Sequence, residues 1–153
     1  MLFVTSIVRK TAYCSCLLLL PTVTPAQGIQ FEQGTFAETL AKAKSEGKQV
    51  FLDAFTSWCG PCKRMAAQVF PDPKVGEYFN PNFICLKIDM EKPENAEFAG
   101  KYPVSAYPTL MILDSEGKVV QKSVGALNAD GLIAFGQKAS GKTDTSQDFE
   151  KGY

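Results

Sequence analysis

The apolar run Gln49-Val50-Phe51-Leu52-Asp53-Ala54-Phe55 is followed, after only two residues, by Trp58-Cys59-Gly60-Pro61-Cys62-Lys63. The first segment has the length and the aromatic and branched content of a buried central strand. The second sets two cysteines at a spacing that opens and closes a disulfide, with a proline suited to the first turn of a helix. A parallel strand feeding a helix across a cysteine loop is therefore expected, which directs the chain towards an α/β fold. At such a helix start the first sulfur lies near unsatisfied backbone N–H groups and the positive end of the helix dipole, which favours its thiolate. Cys59 is the expected nucleophile. Cys62, one turn in, is shielded until a mixed disulfide forms, whereupon it attacks and releases the reduced partner. The charge of Lys63, otherwise a solvated residue, adds to the field at the thiolate.

A purely structural disulfide and half of a metal site are the other readings of this pair. A zinc site needs further ligands at recognisable spacing, yet the chain has no histidine and no second Cys-x-x-Cys. No metal is expected. The 153 residues, 45% of them hydrophobic, fit one globular domain with a real core. Basic and acidic residues balance at 16 each. No basic stripe or cluster is visible, so nucleic acid is not an expected partner.

Arg9 and Lys10 precede an apolar run that closes on Cys16-Leu17-Leu18-Leu19-Leu20, Pro21 breaks it, and Thr24-Pro25-Ala26 offers a small residue for cleavage. Residues 1–26 are expected to be an export signal removed near Ala26, which takes Cys14 and Cys16 with it. The location implied is periplasmic or otherwise exported. A permanent transmembrane helix is the alternative, although the run falls short of the roughly 20 apolar residues a span needs. Lipid attachment at Cys16 is another, but Tyr13-Cys14-Ser15 lacks the aliphatic residue of a bacterial lipoprotein signal.

Beyond the signal, helix and strand alternate. Thr35 with Glu38 makes a capping box for a helix over residues 35–46, ended by Gly47. A strand over 49–55 leads into the cysteine helix, which continues through Met65, Ala66 and Val69 until Pro71-Asp72-Pro73 interrupts it. A short helix over 73–78 follows, then the turn Asn80-Pro81-Asn82, a strand over 83–88 and a helix over 91–101. Strands over 109–113 and 119–124 flank the turn Ser115-Glu116-Gly117-Lys118, and Asn128 caps a last helix to residue 139. With a strand ahead of the first helix, the order is β, α, β, α, β, α, β, β, α. It requires a mixed sheet with helices on both faces. Residues 27–139 are the expected domain, and the polar stretch 140–153 a flexible tail.

Leu52-Asp53-Ala54-Phe55-Thr56-Ser57-Trp58-Cys59-Gly60-Pro61-Cys62-Lys63, then Tyr107-Pro108-Thr109, then Val124-Gly125-Ala126-Leu127 resemble the consecutive landmarks of thioredoxin in type and order. The resemblance covers roughly residues 50–139. It implies the thioredoxin fold and a thiol-disulfide oxidoreductase that works through Cys59 and Cys62 without a cofactor. Asp53 lies six residues before Cys59 inside an apolar strand, where a buried carboxylate is costly unless used or paired. A solvent-facing position is the other reading. The resemblance makes Asp53 the acceptor, through water, of the Cys62 proton. It also implies a cis bond before Pro108, opposite the disulfide, with the backbone of Tyr107 pairing to the substrate chain. Trp58, Gly60, Pro61, Tyr107, Pro108 and Gly125 become the substrate contacts, with Trp58 as an apolar platform. Gly125 and Ala126 are expected as a small-residue edge of that surface rather than a turn.

Two departures stand out. Cys85 occupies the place of the lysine that usually neighbours the buried aspartate, and losing that cation should favour protonated Asp53. Inside a strand, Cys85 is expected to be a small buried hydrophobe, a third redox role being the alternative. Val69-Phe70-Pro71-Asp72-Pro73-Lys74-Val75 and Asn82-Phe83 are more similar to exported thioredoxin-like proteins and to soluble domains of bacterial disulfide-reducing systems than to housekeeping thioredoxin. Cys-Gly-Pro-Cys without an intervening histidine resembles the reducing members, at about −270 mV, rather than oxidising ones at about −120 mV. A monomeric reductase of disulfide-containing exported proteins is thus expected, supplied by a membrane thiol-disulfide electron donor. Isomerase or oxidase action at the same site, and a non-enzymatic binding module, are the alternatives.

Overall fold

The structure, a computed structural model, describes residues 27–141. The expected export signal, and the expected tail beyond Gly141, lie outside the described residues. The elements are α1 (Phe36–Glu46), β1 (Gln49–Phe55), α2 (Gly60–Gln68), α3 (Pro73–Asn82), β2 (Phe83–Asp89), α4 (Ala96–Lys101), β3 (Thr109–Leu113), β4 (Val119–Val124) and α5 (Ala129–Ala139). The sheet runs β2-β1-β3-β4. Strand β1 is parallel to β2 and antiparallel to β3, and β3 forms an antiparallel hairpin with β4.

Local chemistry sets most boundaries. Thr35 and Glu38 close the capping box of α1 from both sides, and Gly47 ends that helix in the left-handed region. Asp72 caps α3 with Pro73 behind it, and Asn128 caps α5 by accepting the Gly131 N–H. Three expectations are corrected. Among the described residues no regular strand precedes α1: Phe31 makes one parallel bridge to Cys85, and the Glu32 N–H donates to the Cys85 carbonyl at 2.8 Å. Helix α3 does not stop at Tyr78 but carries Pro81 in its last turn. Proline there has no N–H to donate to the Glu77 carbonyl one turn back, and the Asn82 side chain donates to the Tyr78 carbonyl at 2.6 Å. The helix expected over 91–101 divides into a 3-10 turn, Pro93–Asn95, and the short α4.

Strand β1 is buried on both sides, which explains its nearly continuous apolar run. Val50, Leu52 and Ala54, with Leu86 and Met111 beside them, meet Ala43 of α1 and Phe98 and Tyr102 around α4. Phe51, with Cys85 and Ile112 beside it, meets Met65, Phe79, Leu132 and Phe135 on the opposite face. The stretch before α1 lies against α3 so closely that a Cβ on Gly76 would collide with the Gln27 carbonyl. Ile29 N–H donates to the Phe70 carbonyl at 2.7 Å and fixes that stretch further. Strand β1 thereby aims its C-terminal end, and the loop after it, at the surface.

Candidate active site

At the end of β1 the chain turns through Thr56, whose carbonyl accepts the Cys59 N–H at 3.2 Å. Cys59 is the N-cap of α2, and its Sγ accepts the Cys62 N–H at 3.1 Å. The two sulfurs form a disulfide whose Cα atoms are 5.3 Å apart. Gly60 and Pro61 make the first turn of the helix, as proline at this position favours. Both cysteines are buried, at 2% and 3% exposure. Once the pair is reduced, the N–H aimed at Cys59 and the helix dipole act on that sulfur rather than on Cys62.

Trp58 is 64% exposed and meets Tyr107 edge to face, ring centroids 5.9 Å apart. Its indole N–H donates to the Glu91 carboxylate, 2.9 Å from each oxygen. The Tyr107-Pro108 bond is cis, as expected. The Pro108 carbonyl accepts the Gly125 N–H at 2.8 Å, which ties the end of β4 to the same place. Gly125 has φ +99° and bends the chain, where an edge rather than a turn was expected. The closing hydrogen bond requires that backbone conformation, and a side chain would strain it. Trp58, Gly60, Pro61, Tyr107, Pro108 and Gly125 thus belong to three segments that these contacts join.

Asp53 is 1% exposed, not solvent-facing. The Lys87 ammonium lies 3.3 Å from its Oδ2, a charge contact whose geometry makes no hydrogen bond, so neither carboxylate oxygen has a hydrogen-bond partner among the described residues. Burial pushes the Asp53 carboxyl up to about 6, against the opposing pull of Lys87. The expected loss of a neighbouring cation is therefore corrected. In the β1/β2 register Phe51 stands opposite Cys85 and Asp53 opposite Lys87, so the cation comes from two residues further along β2 on the same sheet face. The Lys87 ammonium also sits 4.8 to 5.4 Å from the ring centres of Phe31, Phe55 and Phe70, contacts that stabilise a partly dehydrated cation. Cys85 is the buried hydrophobe expected of it, and burial pushes its thiol far above the ordinary range.

Sequence reasoning missed Lys87 and Glu91. The period-2 alternation of β2, applied from Cys85, could have found the first; no local signal marks the second. A cleft of about 540 Å³ is lined in part by Phe31, Phe36 and Lys87 and does not include the cysteines. The buried disulfide lies beside the exposed Trp58 ring rather than in that cleft.

The thioredoxin-like domain family matches residues 36–140. The chain belongs to that family. A candidate disulphide-isomerase from Bacteroides thetaiotaomicron is 45% identical with a TM-score of 0.67, over 79% of this thioredoxin-like chain and 100% of that one. The oxidised C-terminal domain of DsbD from Neisseria meningitidis is 25% identical with a TM-score of 0.57, over 67% of this chain and 90% of that one. A protein disulfide-isomerase of Datisca glomerata is 28% identical over 113 residues, 74% of this chain and 22% of that protein. The chain spans between 18% and 27% of the length of the curated protein disulfide-isomerases it matches. A closable Cys-x-x-Cys pair in this fold, among these relatives, is equipment for thiol-disulfide exchange.

Proposed function

We propose that the protein is a thiol-disulfide oxidoreductase that reduces disulfides of exported proteins. The observation that carries this reading is Cys59 at the start of α2, its sulfur accepting the Cys62 N–H beside exposed Trp58 and the cis Tyr107-Pro108 bond. The Cys59 thiolate attacks one sulfur of the substrate disulfide, and the other substrate sulfur leaves as a thiolate. Cys62 gives its proton to Asp53 by way of water and attacks the Cys59 sulfur of the mixed disulfide. The substrate departs as a dithiol, the protein keeps the Cys59–Cys62 disulfide, and two electrons have passed to the substrate. An Asp53 carboxyl at about 6 is ionised at neutral pH and so accepts that proton. Gly60, Pro61 and Gly125 let the substrate backbone come close, and Tyr107 pairs with it.

The composition of residues 1–26 and the likeness to a DsbD domain support an exported, periplasmic location. Disulfides persist in such a compartment, so a membrane thiol donor must reduce the Cys59–Cys62 pair after each turnover. The protein disulfide-isomerase relatives favour a second reading, isomerisation at the same cysteines. Equilibration with glutathione, together with turnover of insulin disulfides by dithiothreitol, separates the readings. A potential of about −270 mV with turnover supports the reductase, and about −180 mV supports the isomerase. Insulin turnover no faster than dithiothreitol alone would leave a binding module and sink both.

A further inference from the structure

We infer that Glu91 is a positioning residue that pins the Trp58 indole in the orientation it presents to a substrate protein. Trp58 is the only tryptophan of the chain and the most exposed of its large apolar side chains among the described residues. An aromatic ring so exposed is free to change rotamer unless something outside its own loop restrains it. Two groups do. The indole N–H donates to both oxygens of the Glu91 carboxylate at 2.9 Å, a charge-assisted contact, and the ring stands at 84° to Tyr107.

Glu91 is itself held. Its N–H donates to Asp89 Oδ1 at 3.1 Å, and the neighbouring Met90 N–H donates to the Phe55 carbonyl at 2.9 Å. The anchor of the indole is therefore fixed to the ends of β1 and β2, while Tyr107 belongs to the cis-proline loop. One ring is thus held by two segments outside its own loop. Two consequences follow for docking. The indole N–H is already satisfied, so a partner that covers the ring does not strand a buried donor. The ring is also ordered before the partner arrives, so that ordering is not charged against binding.

The inference deepens the exchange reading and rests on it. The Glu91 carboxylate engages the Trp58 indole rather than either sulfur, so its loss should fall on capture of the substrate protein more than on bond exchange. Steady-state fluorescence anisotropy of Trp58 reports the pin directly, because no other tryptophan contributes. For Glu91→Ala we expect lower anisotropy and a KM for insulin raised by about three- to tenfold, the range set by freeing one large side chain. The fall in kcat should be smaller than the rise in KM. The effect should also be larger for insulin than for 5,5′-dithiobis(2-nitrobenzoate), which is too small to need the platform. Glu91→Gln keeps an acceptor oxygen and should restore most of both readouts.

Unchanged anisotropy in Glu91→Ala overturns the inference. So does an equal loss with the two substrates, or a Glu91→Gln variant as impaired as Glu91→Ala. If the unsubstituted protein reduces no insulin, the exchange reading falls and the docking role falls with it. The anisotropy difference between the two variants still shows whether the pin exists, so the two failures are told apart.

Discussion

At the start of α2, Cys59 is 2% exposed, and in the middle of β2, Cys85 is also 2% exposed. Around Cys59 the backbone turns inward, and the Cys62 N–H points at the sulfur from 3.1 Å. Around Cys85 the groups are side chains of the Phe51 face of the sheet, with the strand's own N–H and carbonyl groups committed to β1 and to Glu32. Burial there pushes the thiol far up, with the charge of Glu32 adding to the same direction. Depth of burial therefore does not divide a reactive sulfur from an inert one. What divides them is whether oriented N–H dipoles face the sulfur, and the first turn of a helix supplies these where a strand does not.

The largest effect expected from that contrast is on turnover. Cys59→Ser should reduce insulin reduction to the background rate, and Cys62→Ser should trap a mixed disulfide through Cys59. In the reduced protein iodoacetamide should label Cys59 first and Cys85 last, as peptide mapping by mass spectrometry would report. Faster labelling of Cys62 than of Cys59 would reverse the assigned roles, and fast labelling of Cys85 would break the comparison itself.

Asp53 extends the contrast to a charged group on the same face of β1 as Phe51. Its folded-state value of about 6 lies above the ordinary carboxylate value, so the folded protein holds a proton that the unfolded chain has released between pH 4 and 6. Stability contributed at Asp53 is then full below about pH 4, falls as pH rises to about 6, and stays lower by about 3 kcal/mol above it. Asp53→Asn should recover up to about that amount at pH 8 and almost nothing at pH 4, as urea denaturation at the two pH values measures. The same substitution should slow release of the mixed disulfide while leaving the first attack less affected. In the unsubstituted protein, release should fall as pH drops through about 6, where Asp53 takes up its proton. Equal slowing of both steps would remove Asp53 from the proton path.

A smaller effect tests the partner that sequence reasoning missed. The cysteine pair and the Thr35–Glu38 capping box were legible because each is a signal within a few consecutive residues, whereas the cis Tyr107-Pro108 bond was legible only through the resemblance to thioredoxin. The partner of Asp53 was not, because it depends on the β1/β2 register, which sets Lys87 rather than Cys85 across from it. Glu91 was hidden for a related reason: it meets Trp58 only after two strands have brought their ends together. The strand expected before α1 was misjudged because pairing at Phe31 is a single bridge. Lys87→Met should remove the cation beside Asp53 and raise its value above about 6. The pH at which release is half-maximal should rise with it, and Lys87→Arg, which keeps the charge, should move it less. An unmoved midpoint in single-turnover release would mean that the 3.3 Å contact has no electrostatic consequence.

The smallest effect is the sharpest test of the two sulfurs. Cys85 is in contact with the core formed around Phe51, Phe79 and Ile112, so its sulfur fills space that a shorter side chain leaves empty. Cys85→Ala should cost about 1 kcal/mol of stability, the scale for removing one methyl-sized group from a close-packed interior. Cys85→Ser should cost more, although serine nearly matches cysteine in size, because the hydroxyl enters an apolar setting without an assured acceptor. Neither change should alter insulin turnover or the Cys59–Cys62 potential in protein that remains folded. A sulfur that served in exchange would show the opposite order: serine and alanine would be equally inactive, and stability would not distinguish them. Urea denaturation alongside insulin turnover for the two variants therefore reads packing and chemistry separately, and a loss of turnover in folded Cys85→Ala would place a third sulfur in the reaction.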